Sequence, residues 1–194
     1  MKKIDVHLLV KNEEVLLPAY LDNLHLWNSL GDIVAVDTGS TDGTLELLNA
    51  YPCVRLLAHP LNMDFSAARN YGLKHCTAEW VLHLDADERA EEDLLQWITE
   101  FVESEEARYT ELVAIHRENL VDGHGIGPNT HEKHIRLFRT HRRFKGRIHE
   151  SLRRGVLEKV VEAPPVLPIL HHKTCARQER QNVLYQLWEE QPRC

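Results

Sequence analysis

No apolar run in this 194-residue chain reaches the roughly 18 residues that a membrane-spanning helix needs. Its opening, MKKIDVHLLVKNEE, has an apolar stretch too short for a secretion signal and runs straight into charges. A basic surplus is missing as well. Lys and Arg total 23 against 30 Asp and Glu, a formal charge of −7, which argues against nucleic acid as a partner. Cysteine is sparse: Cys53, Cys76, Cys175 and Cys194 form no C-x-x-C pair, so there is no zinc-site signal. A chain this long needs no disulfide staples, and we expect reduced thiols in a cytoplasmic protein. Internal repeats and low-complexity tracts are absent. What is present is ordinary: 43% apolar and 27% charged residues, close to globular averages. The length suits one domain with a sizeable core, or one domain with a small appendage. Histidine is plentiful at 13, so a lone His says little about metal.

The first half alternates. IDVHLLV (4–10), IVAV (33–36), VRLLA (54–58) and EWVLHL (79–84) read as strands. Between and after them, NEEVLLPAYLDNLHLW, TDGTLELLNAY, FSAARNYGLKHC and EEDLLQWITEFVES read as helices. Pro18 suits a first turn and Thr41 or Asp42 an N-cap. Such alternation predicts an α/β fold with a mostly parallel central sheet and helices on both faces. Past residue 108 the pattern changes. ELVAIHREN and HIRLFR look like strands around a Gly-rich loop, RRFKGRIHES is basic and irregular, and VEAPPVLPI is held extended by its prolines. A polar helix, CARQERQNVLYQLWEEQ, closes the chain. We expect a single domain over 1–194, with a nucleotide-binding half at 1–108 and an irregular acceptor-side half at 109–194.

In open α/β sheets, ligands bind beyond the carboxyl ends of the strands. Lys11, Asn12, Glu13 and Glu14 follow the first strand, Asp37 to Gly43 the second, and Asp85, Ala86 and Asp87 the fourth. A single acid at such a place is ordinary turn chemistry, but three converging loops are more than that. In LDADE the carboxylates of Asp85, Asp87 and Glu88 crowd one another, and such a group tends to keep a proton unless a cation relieves it. Asp85-x-Asp87 offers hard oxygens to Mg²⁺ or Mn²⁺, ions that leave positions open for phosphate. The plain alternative is a capping pair for the following helix.

LLVKNEE, VAVDTGSTDGT, FSAARNYG and EWVLHLDADE, in this order, resemble the N-terminal half of family 2 glycosyltransferases with a GT-A fold. The branch they resemble is that of lipopolysaccharide-core and bacteriocin glycosyltransferases. HIRLFRTHRRFKGRIHES is similar to that branch's RLFR…RF.G.IHE segment, and ILHHKT to its late histidine. Lys173 and Thr174 depart from the glycine and aromatic that often follow there. The resemblance implies an inverting transfer from a nucleoside-diphosphate sugar, UDP-linked by preference, to a hydroxyl on a glycan, lipid-linked glycan or peptide. It implies that Leu9 and Lys11 line the base, that Glu14 lies near the ribose, and that Asp37 accepts from the base. Arg69 would reach base or phosphates, and Asp85 with Ala86 would meet the ribose or an ion-bound water. Asp87 would bind the divalent ion, with Asp85 and His171 completing its site and His172 in reserve. Glu150 is the candidate base, unless it merely pairs with Arg147 or Arg153. Peripheral contact with the inner face of a membrane stays open.

Arg136, Arg139, Arg142, Arg143, Lys145 and Arg147 form a local basic cluster. It reads either as a solvated face or as an attractor of diphosphate or an anionic acceptor. Rival functions weigh less. A haloacid-dehalogenase phosphatase carries its D-x-D after the first strand, not the fourth. A nucleotidyltransferase needs a glycine-rich first loop that Val10-Lys11-Asn12-Glu13 lacks. A non-catalytic nucleotide-sugar-binding module would have to keep Asp37, Arg69, Asp85, Asp87 and Glu150 without using them.

Overall fold

The structure, a computed structural model, describes residues 2–25, 27, 30–125, 131–152 and 158–173. The first half folds as β1 (Ile4–Val10), α1 (Leu17–His25), β2 (Leu30–Asp37), α2 (Thr44–Asn49), β3 (Val54–Ala58), α3 (Phe65–Leu73) and β4 (Trp80–His83). After the acids come β5 (Glu88–Ala90) and α4 (Glu92–Glu103). The second half contributes β6 (Leu112–Val121), β7 (His124–Gly125), β8 (His131–Arg139), β9 (Phe144–Lys145), β10 (Ser151–Leu152), β11 (Val160–Glu162) and β12 (Ile169–Lys173). The closing helix expected after Lys173 lies outside the described residues.

Among the described residues the main sheet runs β3-β2-β1-β4-β8-β6-β12-β5, with β7 and β11 also paired to β6. β3, β2, β1 and β4 are mutually parallel, as the alternating pattern predicts. β8 then pairs antiparallel with β4, placing Leu82 opposite Leu137. The second half, expected to be irregular, therefore continues the sheet. The unpaired edge of β4 supplies the reason, since its backbone groups need partners.

Strand alternation assigns the two faces. Ile4, Val6, Leu8 and Val10 of β1 join Leu17, Tyr20, Leu21 and Leu24 of α1 and Leu94, Ile98 and Phe101 of α4 in one apolar layer. The other face holds Val34, Leu73, Val81, Phe138 and Phe144, and α3 packs there. Gly72 makes that approach close. A Cβ at this position would lie 2.5 Å from His7 Nε2 and 2.6 Å from Val36 Cγ2.

Helix starts follow local chemistry. Pro18 is the second residue of α1, where it forfeits no hydrogen bond. Asp64 caps α3, its Oδ1 accepting from the Ala67 N–H at 2.8 Å. α2 begins later than expected, with Gly43 at the N-cap and no side-chain cap bond. The Thr41 N–H is already taken by Asn12 Oδ1 at 2.8 Å, which ties two loops together instead. Asp42 still serves the helix, accepting from the Thr44 N–H at 3.1 Å.

Candidate active site

The loops after β1 and β2 are stitched into one rim. The Asn12 N–H donates to Ser40 Oγ at 2.9 Å, the Glu13 N–H to Thr44 Oγ1 at 2.8 Å, and the Gly43 N–H to Glu14 Oε2 at 2.7 Å. Asn12 adopts φ 57°, a left-handed conformation that asparagine tolerates. Asp37 is buried at the end of β2, accepting from the Gly39 N–H at 3.0 Å and the Ser40 N–H at 3.1 Å. Leu9 is partly buried on β1, and Lys11 and Glu14 are exposed. The carboxylates of Asp37 and Glu14 thus organise the rim, and each keeps lone pairs for a further donor.

At the end of β4 the crowded acids find their cations, and those cations are arginines. Asp85 Oδ1 lies 3.4 Å from Arg69 Nη1, and Asp85 Oδ2 lies 3.4 Å from both terminal nitrogens of Arg136. Burial opposes the charge on Asp85, but Arg69 and Arg136 outweigh it and hold the carboxyl well below the usual range. Glu88 is fully buried, accepts from the Asp85 N–H at 3.0 Å, pairs directly with Arg136, and has Arg117 at 3.8 Å. Here burial is the stronger influence and pushes the carboxyl up despite Arg136. Buried this completely, Glu88 is out of reach of an acceptor. Ala86 is buried too, and its carbonyl accepts from Arg89 Nη1 at 2.8 Å, which pins the turn.

Asp87 points elsewhere. Its Oδ2 stands 3.3 Å from His171 Nε2 on β12, and its carbonyl accepts from the His172 N–H at 2.8 Å. His171 Nδ1 meets Asn119 Oδ1 at 2.8 Å, so Nδ1 donates there. That leaves Nε2 and Asp87 Oδ2 facing each other, two atoms that a shared cation would bring together. A second hydrogen bond orienting the ring is also what metal-binding histidines use. Two such donors suit an octahedral ion that keeps waters and phosphate oxygens for its other positions. Asp85, spent on its arginines, is not directed to this pair. Among the described residues no three His, Cys, Asp or Glu side chains gather into a metal cluster.

Helix α3 brings in the last component. The Phe65 N–H donates to the Arg147 carbonyl at 3.0 Å and Ser66 Oγ to the Gly146 carbonyl at 2.5 Å. Asn70 pairs twice with the backbone of Phe144, at 2.9 and 2.8 Å. Gly146 (φ 103°) and His149 (φ 56°) turn the following segment back on the helix. Glu150 is thereby delivered to Arg69, whose Nε donates to Oε1 at 2.6 Å. Of the two arginines named for it in the sequence, Arg147 is exposed and Arg153 lies outside the described residues.

The basic run disperses in space. Arg136 is buried among the acids, and Arg139 pairs with Glu79 over the Trp80 ring, 4.1 Å from its centroid. Arg142 holds Glu158 at 2.7 and 2.9 Å, and Arg143, Lys145 and Arg147 are exposed. Sequence reasoning missed His7, His83, Arg117 and Asn119. The available signal was weak: polar residues inside otherwise apolar strands.

Residues 5–160 match the profile of Glycosyl transferase family 2. The lipopolysaccharide core biosynthesis glycosyltransferase LpsC of Rhizobium meliloti is 29% identical over 163 residues, 77% of this chain and 56% of that protein. Glycosyltransferase SunS of Bacillus subtilis prophage SPbeta is 30% identical over 81 residues, 41% of this chain and 19% of its own. The chain thus spans about half of LpsC and less of SunS. In fold it is similar to S. aureus TarS 1-349 in complex with UDP-GlcNAc, with a TM-score of 0.63 and 18% identity over 88% of this chain and 58% of that one.

Proposed function

The chain belongs to glycosyl transferase family 2, and from that premise we propose that it moves a sugar from a UDP-sugar to an acceptor hydroxyl, inverting the anomeric carbon. The observation that carries this reading is the Asp87–His171 pair set beside Arg69 and Glu150 at the carboxyl ends of the parallel strands. Ligands settle at that edge in open α/β sheets.

Each residue has a part. The rim that holds Asp37, Leu9, Lys11 and Glu14 takes the nucleoside. Uracil presents a ring N–H, which suits an acceptor-only carboxylate such as Asp37. Arg69 supplies positive charge to the diphosphate, and Asp85 and Ala86 shape the floor beneath it. Mn²⁺ or Mg²⁺, held by Asp87 and His171, would supply Lewis-acid neutralisation of the leaving diphosphate. Glu150 accepts the proton of the acceptor hydroxyl as that oxygen bonds to the anomeric carbon and the carbon–diphosphate bond breaks. Its Oε1 is held by Arg69, and its Oε2 makes no hydrogen bond among the described residues. The acceptor class, a glycan, lipid-linked glycan or peptide, takes its support from relatives such as LpsC.

A thermal-shift panel of UDP, GDP, CDP and dTDP, each with Mn²⁺, Mg²⁺ or EDTA, tests the reading. A ligand at about 100 times its Kd adds roughly 2.7 kcal/mol. In a chain of this size that raises the melting temperature by roughly 5–11 °C. A shift with UDP that vanishes in EDTA is expected. No shift with any nucleotide would sink the proposal.

A further inference from the structure

Arg69 is the hub of the site, and one of its anchors has no role in the reading above. His83, buried at the end of β4, places Nε2 2.6 Å from Arg69 Nη1. A guanidinium has only donors, so His83 Nε2 must be the acceptor and carry no proton. Its proton therefore sits on Nδ1, which lies 3.1 Å from the His7 carbonyl and 3.0 Å from His7 Nδ1. Both acceptors belong to β1, directly across the ladder from His83. The ring is fixed on its other sides as well, with Phe144 edge-on at 5.6 Å between centroids. Arg69 thus has three anchors: Glu150 on Nε at 2.6 Å, His83 on Nη1 at 2.6 Å, and Asp85 on Nη1 at 3.4 Å. Its Nη2 makes no hydrogen bond among the described residues. Glu150 fixes the Nε edge of the guanidinium, and a neutral acceptor on a rigid ring fixes the direction of Nη1.

We infer that His83, held by His7 as the Nδ1–H tautomer, is a positioning residue that orients Arg69 so that its Nη2 edge is kept for an anionic oxygen of the nucleoside diphosphate. This rests on the proposed donor site only for the identity of that ligand. The His7–His83–Arg69 chain itself is independent of it.

Two near-isosteric variants separate positioning from packing. His83→Gln retains an acceptor near the Nε2 position, and His83→Met fills similar space without one. In protein labelled with ¹⁵N-arginine, the Arg69 side-chain signals are assigned by their loss in Arg69→Lys. Restrained, separately resolved Nη signals are expected in the unliganded wild type and in His83→Gln, and averaged signals in His83→Met. With Mn²⁺ present, UDP affinity should fall about tenfold in His83→Met and stay within about threefold in His83→Gln, the effect of one charge-assisted hydrogen bond. In an Arg69→Lys background the Met substitution should change affinity no further. Arg69 signals in His83→Met that match the wild type would overturn the inference whatever UDP does. Equal UDP affinity in the Gln and Met variants would overturn its link to the ligand. A wild type with restrained Arg69 signals that binds no UDP would instead overturn the proposed donor site, leaving the positioning of Arg69 standing.

Discussion

Arg136→Met removes the strongest partner of a carboxylate that has no contact with water. Arg136 retains 8% of its side-chain exposure and Glu88 retains none. Breaking a buried ion pair from one side costs about 3–5 kcal/mol, because the remaining charge is left uncompensated. The low end applies here, about 3 kcal/mol, since Arg117 stays 3.8 Å from Glu88 and the Asp85 N–H still donates to it at 3.0 Å. For a chain of this length the melting temperature should fall by roughly 6–12 °C. Adding Glu88→Gln should return most of that loss, with a coupling of about 2 kcal/mol between the two sites. The pH dependence follows from the direction of the Glu88 shift. Burial raises its folded-state pKa above the unfolded value, and losing Arg136 raises it further. The folded state then holds a proton that the unfolded chain has released, so stability is lost as pH rises through the folded value. The deficit of Arg136→Met should therefore be larger at pH 8 than at pH 5. Calorimetric melts of the wild type, both single variants and the double variant at those two pH values provide the measurement. A single variant melting within about 2 °C of wild type, or a double variant whose loss is the sum of its parts, would refute the reasoning.

Three further outcomes are expected. Asp87→Ala should abolish the EDTA-sensitive UDP shift while unliganded stability stays within about 1 kcal/mol of wild type, and a retained metal-dependent shift would remove Asp87 from the ion site. Glu150→Gln should keep UDP affinity and lower sugar transfer by about 100-fold or more; lost UDP affinity would recast Glu150 as the holder of Arg69 alone. Gly72→Ala should cost about 1–3 kcal/mol in urea unfolding, because the new methyl meets His7 and Val36 on two different strands. A neutral result there would mean that α3 can ride higher on the sheet.

Much of the candidate site was legible because local rules place it. An apolar strand followed by polar loop residues locates Asp37, Asp85 and Asp87 at one sheet edge whatever the rest of the chain does. The four parallel strands and their helices follow from periodicity, and β1 and β3 keep the expected bounds of 4–10 and 54–58. The company kept by the acids was a different matter. Their crowding called for a cation, and hard oxygens spaced as Asp85-x-Asp87 pointed to a divalent ion. Arg136 is 51 residues from Asp85 along the chain, and it arrives because β8 pairs with β4. Arg139, three residues further along β8, faces the opposite side of the sheet and pairs with Glu79.

The chain by itself determined the order of the parallel elements, the family to which it belongs, and the set of polar groups at the strand ends. Each of these depends on residues close together in sequence, where hydrophobic period and turn chemistry act directly. Only the tertiary structure decided that Glu150 pairs with Arg69 across 81 residues, that Asp85 turns to arginines and away from the Asp87–His171 pair, and that His83 accepts from Arg69. Those choices depend on strand register and on how closely α3 approaches the sheet. A carboxylate takes whichever cation the folded backbone brings within a few ångströms, and that distance is not written in the spacing of residues along the chain.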